Sequence, residues 1–343
     1  MVKRNNKILS LGVDVGNFDT KTQSTVTPSG FAEYKQLPFV SDNYILYNGM
    51  YYMQNENRFP YLSDKTSNEN MFILSLFGIA KEIIAYAEKN VRRKEADSIE
   101  SMPKAELTLK IQGEIDLIEQ INVGMGLPLV NYGKDKDAYI DYYKKRFGDS
   151  IEFEYGEYHF CFSVNEIGCY PQGFAAVVTY NPSKPDSIMK VAKKTYYAVD
   201  IGGWTIDIIT IVNNEITDKC TSKSLGVLAM YENIINDVEM QTGYALERVD
   251  IEAVLKEEET FLPDEIKDII NKDAEKWFER IKNELVQYGL LIKARPVLFL
   301  GGGSQLFKRF IRKNRDFVKC EFIPNPKANA KGYAILVEQQ AHG

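Results

Sequence analysis

Val13-Asp14-Val15-Gly16-Asn17-Phe18-Asp19-Thr20-Lys21, and far downstream Val199-Asp200-Ile201-Gly202-Gly203-Trp204-Thr205-Ile206-Asp207, decide the fold of this chain. Each stretch closes a short apolar strand, Ile8 to Val15 in one case and Tyr196 to Ile201 in the other. Aligned, Asp14 falls over Asp200, Gly16 over Gly202 and Phe18 over Trp204. More β-prone sequence follows both, Thr20 to Val26 and Ile206 to Val212. A lone Asp-x-Gly says little, because both residues simply favour turns. Two matching turns about half the chain apart are an internal repeat. Strand, tight turn, strand is a β-hairpin whose tip presents a carboxylate and backbone N–H groups. Two related domains are the expectation.

Working outward, Tyr44-Ile45-Leu46-Tyr47-Asn48-Gly49-Met50-Tyr51-Tyr52 predicts a hairpin around an Asn-Gly turn. Phe72, Leu76, Ile79, Ile83 and Tyr86 keep helical spacing, and Arg92-Arg93-Lys94 suits a helix C-terminus. Ile121 to Leu129 is expected as a buried strand ending in a loop at Gly124, Gly126 and Pro128, followed by a helix from Asp135 to Phe147. Downstream, Gly226 to Thr242 is helical up to Gly243, and Pro263-Asp264 opens a long helix carrying Ile266, Ile270, Trp277, Ile281, Leu285 and Tyr288. Val297 to Leu300 is a buried strand that enters Gly301-Gly302-Gly303-Ser304 and another helix. Alternating strands and helices argue for an α/β protein. Asn181 to Pro185, with two prolines, is a candidate hinge.

The 343 residues match about two domains on a prior of roughly 150 residues each. With 44% hydrophobic and 26% charged residues, composition excludes disordered and collagenous classes. No run approaches 18 uninterrupted apolar residues, and the basic start meets Asp14 too soon for a secretory signal, so a cytoplasmic chain without a membrane span is expected. A net charge of −6 argues against direct binding of nucleic acid. Cys161, Cys169, Cys220 and Cys320 show no CxxC spacing, so reduced and mostly buried thiols are expected in place of a zinc site. His159 and His342 are the two histidines, too few and ill-placed for a Ser-His-Asp triad.

An ATP site needs small residues where phosphate approaches the backbone, and Gly16, Gly202 and Gly203 qualify. A magnesium ion wants one or two carboxylates and otherwise keeps water, which suits Asp14 and Asp200. Lys21 offers a cation on the second hairpin strand, and the glycines at 301–303 a flat backbone surface for a nucleoside.

In this order the set resembles the actin/heat-shock-chaperone/sugar-kinase ATPase superfamily, with a first phosphate loop at 14–21, a second at 200–207 and an adenosine loop at 300–304. Within it the chain is similar to the ParM-type actins that segregate plasmids. Val123-Gly124-Met125-Gly126-Leu127-Pro128-Leu129, Tyr170-Pro171-Gln172-Gly173, Ser224-Leu225-Gly226-Val227 and Asn329-Ala330-Lys331-Gly332-Tyr333 fall where that family has similar segments. The resemblance spans about residues 8–336 and implies two related actin-like (ribonuclease-H-like) domains enclosing a nucleotide cleft, each with a smaller insertion. Domain I is expected over 1–190, with an insertion at about 36–70 and a C-terminal helix at about 332–343 packing back on it. Domain II is expected over 191–331, with an insertion at about 229–274.

Carried over residue by residue, the resemblance gives Asp14 and Asp200 the hydrated Mg2+ and Lys21 a phosphate contact. Gly16, Asn17, Phe18, Gly202, Gly203 and Thr205 would line the phosphates of ATP, with GTP the alternative nucleotide. Gly226, Gly301, Gly302, Gly303 and Ser304 would line the nucleoside. Gln172 stands where the family usually carries a glutamate that positions the attacking water; an amide can still orient water, as actin's equivalent glutamine does. Trp204 replaces a small residue, which puts loop closure and nucleotide preference in question. The function implied is a polymerising ATPase: head-to-tail filaments of the chain itself, coupled to plasmid DNA by a small DNA-binding adaptor. A small-molecule kinase of the same superfamily is the alternative, but it needs a carboxylate base where this chain has Gln172. A filament with a role other than segregation is the other alternative.

Overall fold

The computed structural model describes residues 7–39, 43–59, 67–96, 100, 102–180, 195–213 and 215–343. The candidate hinge at Asn181 to Pro185 lies outside the described residues, as do parts of the 36–70 insertion. The chain divides into two compact units. One comprises the chain to Leu127, Asn131–Thr179 and Lys327–Gly343; the other comprises Pro128–Val130 and Tyr180–Pro326.

In the first unit, β1 (Lys7–Gly12) runs parallel to β8 (Ile118–Leu127), and β8 runs parallel to β10 (Tyr158–Pro171). The sheet extends antiparallel through β9 (Ile151–Tyr155), β6 (Tyr44–Tyr47), β7 (Met50–Gln54) and β5 (Phe31–Tyr34), giving seven strands. A separate meander contains β2 (Asp14–Val15), β3 (Asp19–Lys21) and β4 (Val26–Pro28). The strand expected from Ile8 to Val15 is therefore two strands, with Val13 between them bonding the Gly124 carbonyl at 2.9 Å. The Asn48-Gly49 turn joins β6 to β7 with both φ values positive (51° and 75°), as a two-residue hairpin requires.

Helix α1 (Glu69–Lys94) starts at Asn68, whose side chain accepts from the Met71 N–H, and ends in Arg92, Arg93 and Lys94, which suit the negative end of its dipole. It is long and apolar enough to cross a membrane, but 72% of its most apolar stretch is buried within the unit. Phe72 and Phe77 are fully buried there, and each such side chain contributes about 1.5–3 kcal/mol. Helix α2 (Lys104–Ile115) packs on α1, and α3 (Leu129–Phe147) follows β8 directly.

Two expectations are corrected at β8. Gly124 and Gly126 lie within the strand, not in a loop after it. A Cβ on Gly124 would stand 2.3 Å from the Tyr333 carbonyl oxygen, and one on Gly126 would stand 2.0 Å from the Tyr333 hydroxyl. Here glycine serves close packing by α10 (Ala328–His342), which lies against β1, β8, β10 and the short α4 (Phe174–Val178). Helix α3 begins at Leu129, not at Asp135, because Pro128 immediately before it has a fixed φ and no N–H to satisfy.

In the second unit, β11 (Thr195–Ile201), β12 (Ile206–Val212) and β13 (Glu215–Lys223) form an antiparallel meander, and β14 (Val297–Leu300) and β15 (Cys320–Phe322) add in parallel on the far side of β11. The first unit repeats this order, with the β2–β3–β4 meander on the continuation of β1 and then β8 and β10 in parallel. The sequence repeat is thus a repeat of topology. Among the described residues of this unit lie five helices: α5 (Val227–Thr242, ended by Gly243), α6 (Arg248–Leu255), α7 (Asp264–Gln287), α8 (Gly302–Leu306) and α9 (Lys308–Lys313).

All four cysteines are free, but only Cys169 is buried; Cys161 is exposed and the other two are intermediate. Burial pushes the Cys169 thiol up to about 12, which leaves it protonated and inert. His159 pairs with Glu152 at 2.9 Å on the exposed β9–β10 hairpin.

Candidate functional site

The two hairpins share one geometry. In the first, the Gly16 N–H donates to the Asp19 carbonyl at 3.1 Å; in the second, the Gly202 N–H donates to the Thr205 carbonyl at 2.8 Å. The register matches as well, since Asp14 is the direct cross-strand partner of Lys21 and Asp200 that of Asp207. Directly opposed residues of an antiparallel pair put their side chains on one face. The first hairpin therefore opposes a carboxylate with an ammonium, and the second opposes two carboxylates. Like charges so placed are destabilising unless a cation comes between them. Asp207 joins the candidate site by this register, and its signal in the sequence is the seven-residue spacing that Asp14 and Lys21 also display.

Asp14 is buried, at 7% exposure, and its Oδ1 accepts the Gln172 side-chain amide at 3.1 Å. The Gln172 backbone is tied to the Leu127 carbonyl at 2.9 Å, and the next N–H, of Gly173, donates to Asn329 Oδ1 at 2.8 Å. Three elements, β8, β10 and α10, hold this turn. A carboxylate only accepts hydrogen bonds, so the amide must present its NH2 to Asp14, which leaves the Gln172 carbonyl oxygen as an acceptor.

In the second unit, Gly301 has φ 81°, and a Cβ there would meet Asp200 Oδ1 at 2.2 Å. Glycine lets the turn at 301–304 touch the carboxylate near the end of β11. Gly226 sits against the turn of the second hairpin: the carbonyls of Gly202, Gly203 and Trp204 accept from Val227, Leu228 and Gly226 at 3.1, 2.9 and 3.0 Å. Any side chain at Gly226 would stand 2.2 Å from the Gly203 carbonyl oxygen. Its place in the structure is thus behind the loop at the start of α5. Ser304, expected to line the nucleoside, is fully buried, and its hydroxyl donates to the Gly301 carbonyl at 2.8 Å. Gly302 is exposed on the same turn, and Gly303 is packed on Ile201 and Val227.

Phe18 likewise serves the hairpin itself. Its ring lies under the Arg58 guanidinium at 3.9 Å, and its carbonyl accepts from the Ser29 N–H at 3.1 Å and from Arg58 Nε at 2.9 Å. Asn17, Lys21, Gly203 and Thr205 are all half-buried on their hairpins, while Trp204 is 41% exposed at its tip. Arg58 and Ser29 carried no sequence signal, since both lie outside the repeat.

Two units of one strand order, each bearing a glycine-turn hairpin with a carboxylate on its first strand, make this an actin-like protein by fold. The family described as "Archaeal actin homologue MreB-like, C-terminal" matches residues 198–313. Ta0583, an archaeal actin homologue solved in complex with ADP, superposes with a TM-score of 0.64 at 16% identity, over 97% of this chain and 99% of that one. Bacillus thuringiensis ParM with ATP gives 0.63 at 14% identity, over 98% and 100%. The Alp12 filament structure gives 0.61 at 13% identity, over 97% and 99%. At these identities the likeness is one of fold. No curated protein matches the chain.

Proposed function

We propose that this chain is a nucleoside triphosphatase that assembles into filaments when nucleotide is bound. The observation that carries the proposal is the pair of hairpins with one register and one turn bond, each offering a carboxylate. Similarity in fold to proteins solved with ADP and ATP, and to one solved as a filament, supports it.

Asp14 and Asp200 are the carboxylates suited to a hydrated magnesium ion. The fit rests on the chemistry of the donor set, since strand-end carboxylates beside glycine turns are the oxygen ligands a magnesium ion takes. When bound, magnesium would neutralise charge on the phosphates. Lys21 adds a cation on the first hairpin. Gln172 orients the attacking water through its carbonyl oxygen, its NH2 being held by Asp14. Its contribution is positioning, because an amide is no base.

Filaments of this kind would move plasmid DNA in the cytoplasm through a DNA-binding adaptor. The net charge of −6 supports an adaptor, since the chain as a whole repels phosphate. Purified chain should release phosphate from ATP, or from GTP, only when magnesium is present. Absence of release with both nucleotides would overturn the hydrolytic assignment.

A further inference from the structure

We propose that Arg58 is a positioning residue that holds the first phosphate hairpin in its binding conformation. It thereby sets nucleotide affinity from outside the motif. This rests on the nucleotide-binding function proposed above.

Arg58 reaches the hairpin by three contacts of different kinds. Nε donates to the Phe18 carbonyl at 2.9 Å, a terminal nitrogen meets Asp19 Oδ1 at 3.3 Å, and the guanidinium plane covers the Phe18 ring at 3.9 Å. A further nitrogen faces Glu56 at 3.7 Å, but that carboxylate is 83% exposed and adds little. The contacts to Phe18 and Asp19 are better shielded, with the Arg58 and Asp19 side chains 26% and 21% exposed. A charged donor on a half-buried carbonyl is among the stronger hydrogen bonds, and stacking on an aromatic face adds to it.

The arginine is itself held in place. Asn55 N–H donates to the Gly30 carbonyl at 3.1 Å, Phe59 N–H to the Ser29 carbonyl at 3.0 Å, and Gln54 Nε2 to the Pro28 carbonyl at 3.1 Å. The Phe59 ring packs edge-on to Phe31 at 4.7 Å. The segment 54–59 is therefore laced along 28–31, and Arg58 is delivered to the tip from a fixed backbone. Ser29 completes the grip, its hydroxyl donating to the Gly16 carbonyl at 2.6 Å. Carbonyls of Gly16 and Phe18 are thus turned toward this clamp. With a trans peptide plane, each such carbonyl sends the N–H of the following residue the opposite way. Those N–H groups, of Asn17 and Asp19, belong to the segment where the resemblance places phosphate.

Lysine keeps the charge but lacks the planar fork and the stacking surface, so it should not substitute. Wild-type chain, Arg58→Ala and Arg58→Lys are compared by backbone amide hydrogen exchange without nucleotide and by ATP titration with magnesium. Both variants should exchange the amides of residues 16–20 at least about tenfold faster, with α1 unchanged, and should bind ATP about 10- to 100-fold more weakly. Turnover at saturating ATP should stay within about threefold, separating KM from kcat. If Arg58→Ala fails to fold, Phe18→Leu removes the stacking alone and should give a smaller loss of the same kind. Unchanged exchange at 16–20, or wild-type affinity in Arg58→Ala, overturns the proposal. A wild-type chain that binds neither ATP nor GTP instead overturns the nucleotide function, while the exchange result still decides whether Arg58 holds the hairpin.

Discussion

Asp200→Ala is expected to abolish phosphate release while leaving the thermal transition unchanged or slightly raised. The first half follows from the loss of a carboxylate suited to magnesium. The second half follows from the register of β11 and β12. Asp200 opposes Asp207 directly across the pair, and two ionised carboxylates so placed repel. Removing one member relieves repulsion of about 0.2–1 kcal/mol. The strand pairings of Asp200 with Asp207 and Leu300 are backbone features that alanine keeps. Phosphate release and thermal unfolding, measured on one preparation, check both halves. Wild-type turnover in the variant would mean that the second hairpin does not carry the magnesium site. A collapse in thermal stability would mean that Asp200 is structural.

The second large effect is expected at Gln172. Its truncation to alanine should slow phosphate release by roughly 10- to 1000-fold, the range for losing one positioning group. Nucleotide affinity should barely change, since the role proposed for the side chain is toward water and not toward phosphate. Filaments should form and last longer, because disassembly is expected to follow hydrolysis. The glutamate usual in the ParM family is not an equivalent replacement here: at 3.1 Å from Asp14, a second carboxylate would face the first without a proton between them. Normal release together with normal filament lifetime in Gln172→Ala would remove the residue from the water-positioning role and leave it as a turn residue tied to Asp14.

Sequence spacing carried much of the fold because its informative features are local. The i to i+7 register of both hairpins follows from a tight turn between short strands, and the Asn48-Gly49 turn is specified by two residues. What was not legible depends on partners distant in the chain. Gly124 and Gly126 look like loop residues until Tyr333 of α10 is seen packed against them. The start of α3 was hidden by Asn131 and Gly133, weak helix formers that tertiary packing overrides. Ser304 carries a polar side chain beside a glycine loop, and only the structure turns it inward to the Gly301 carbonyl. Arg58 has no motif of its own, and its importance comes from where the 54–59 segment is laced.

Right-angle light scattering of the purified chain, with and without nucleotide, tests the central claim most directly. With magnesium and ATP the signal should rise as polymer forms and fall as nucleotide is consumed, and without nucleotide it should stay flat. A signal that stays flat with both ATP and GTP, or that rises equally without nucleotide, contradicts a nucleotide-dependent filament.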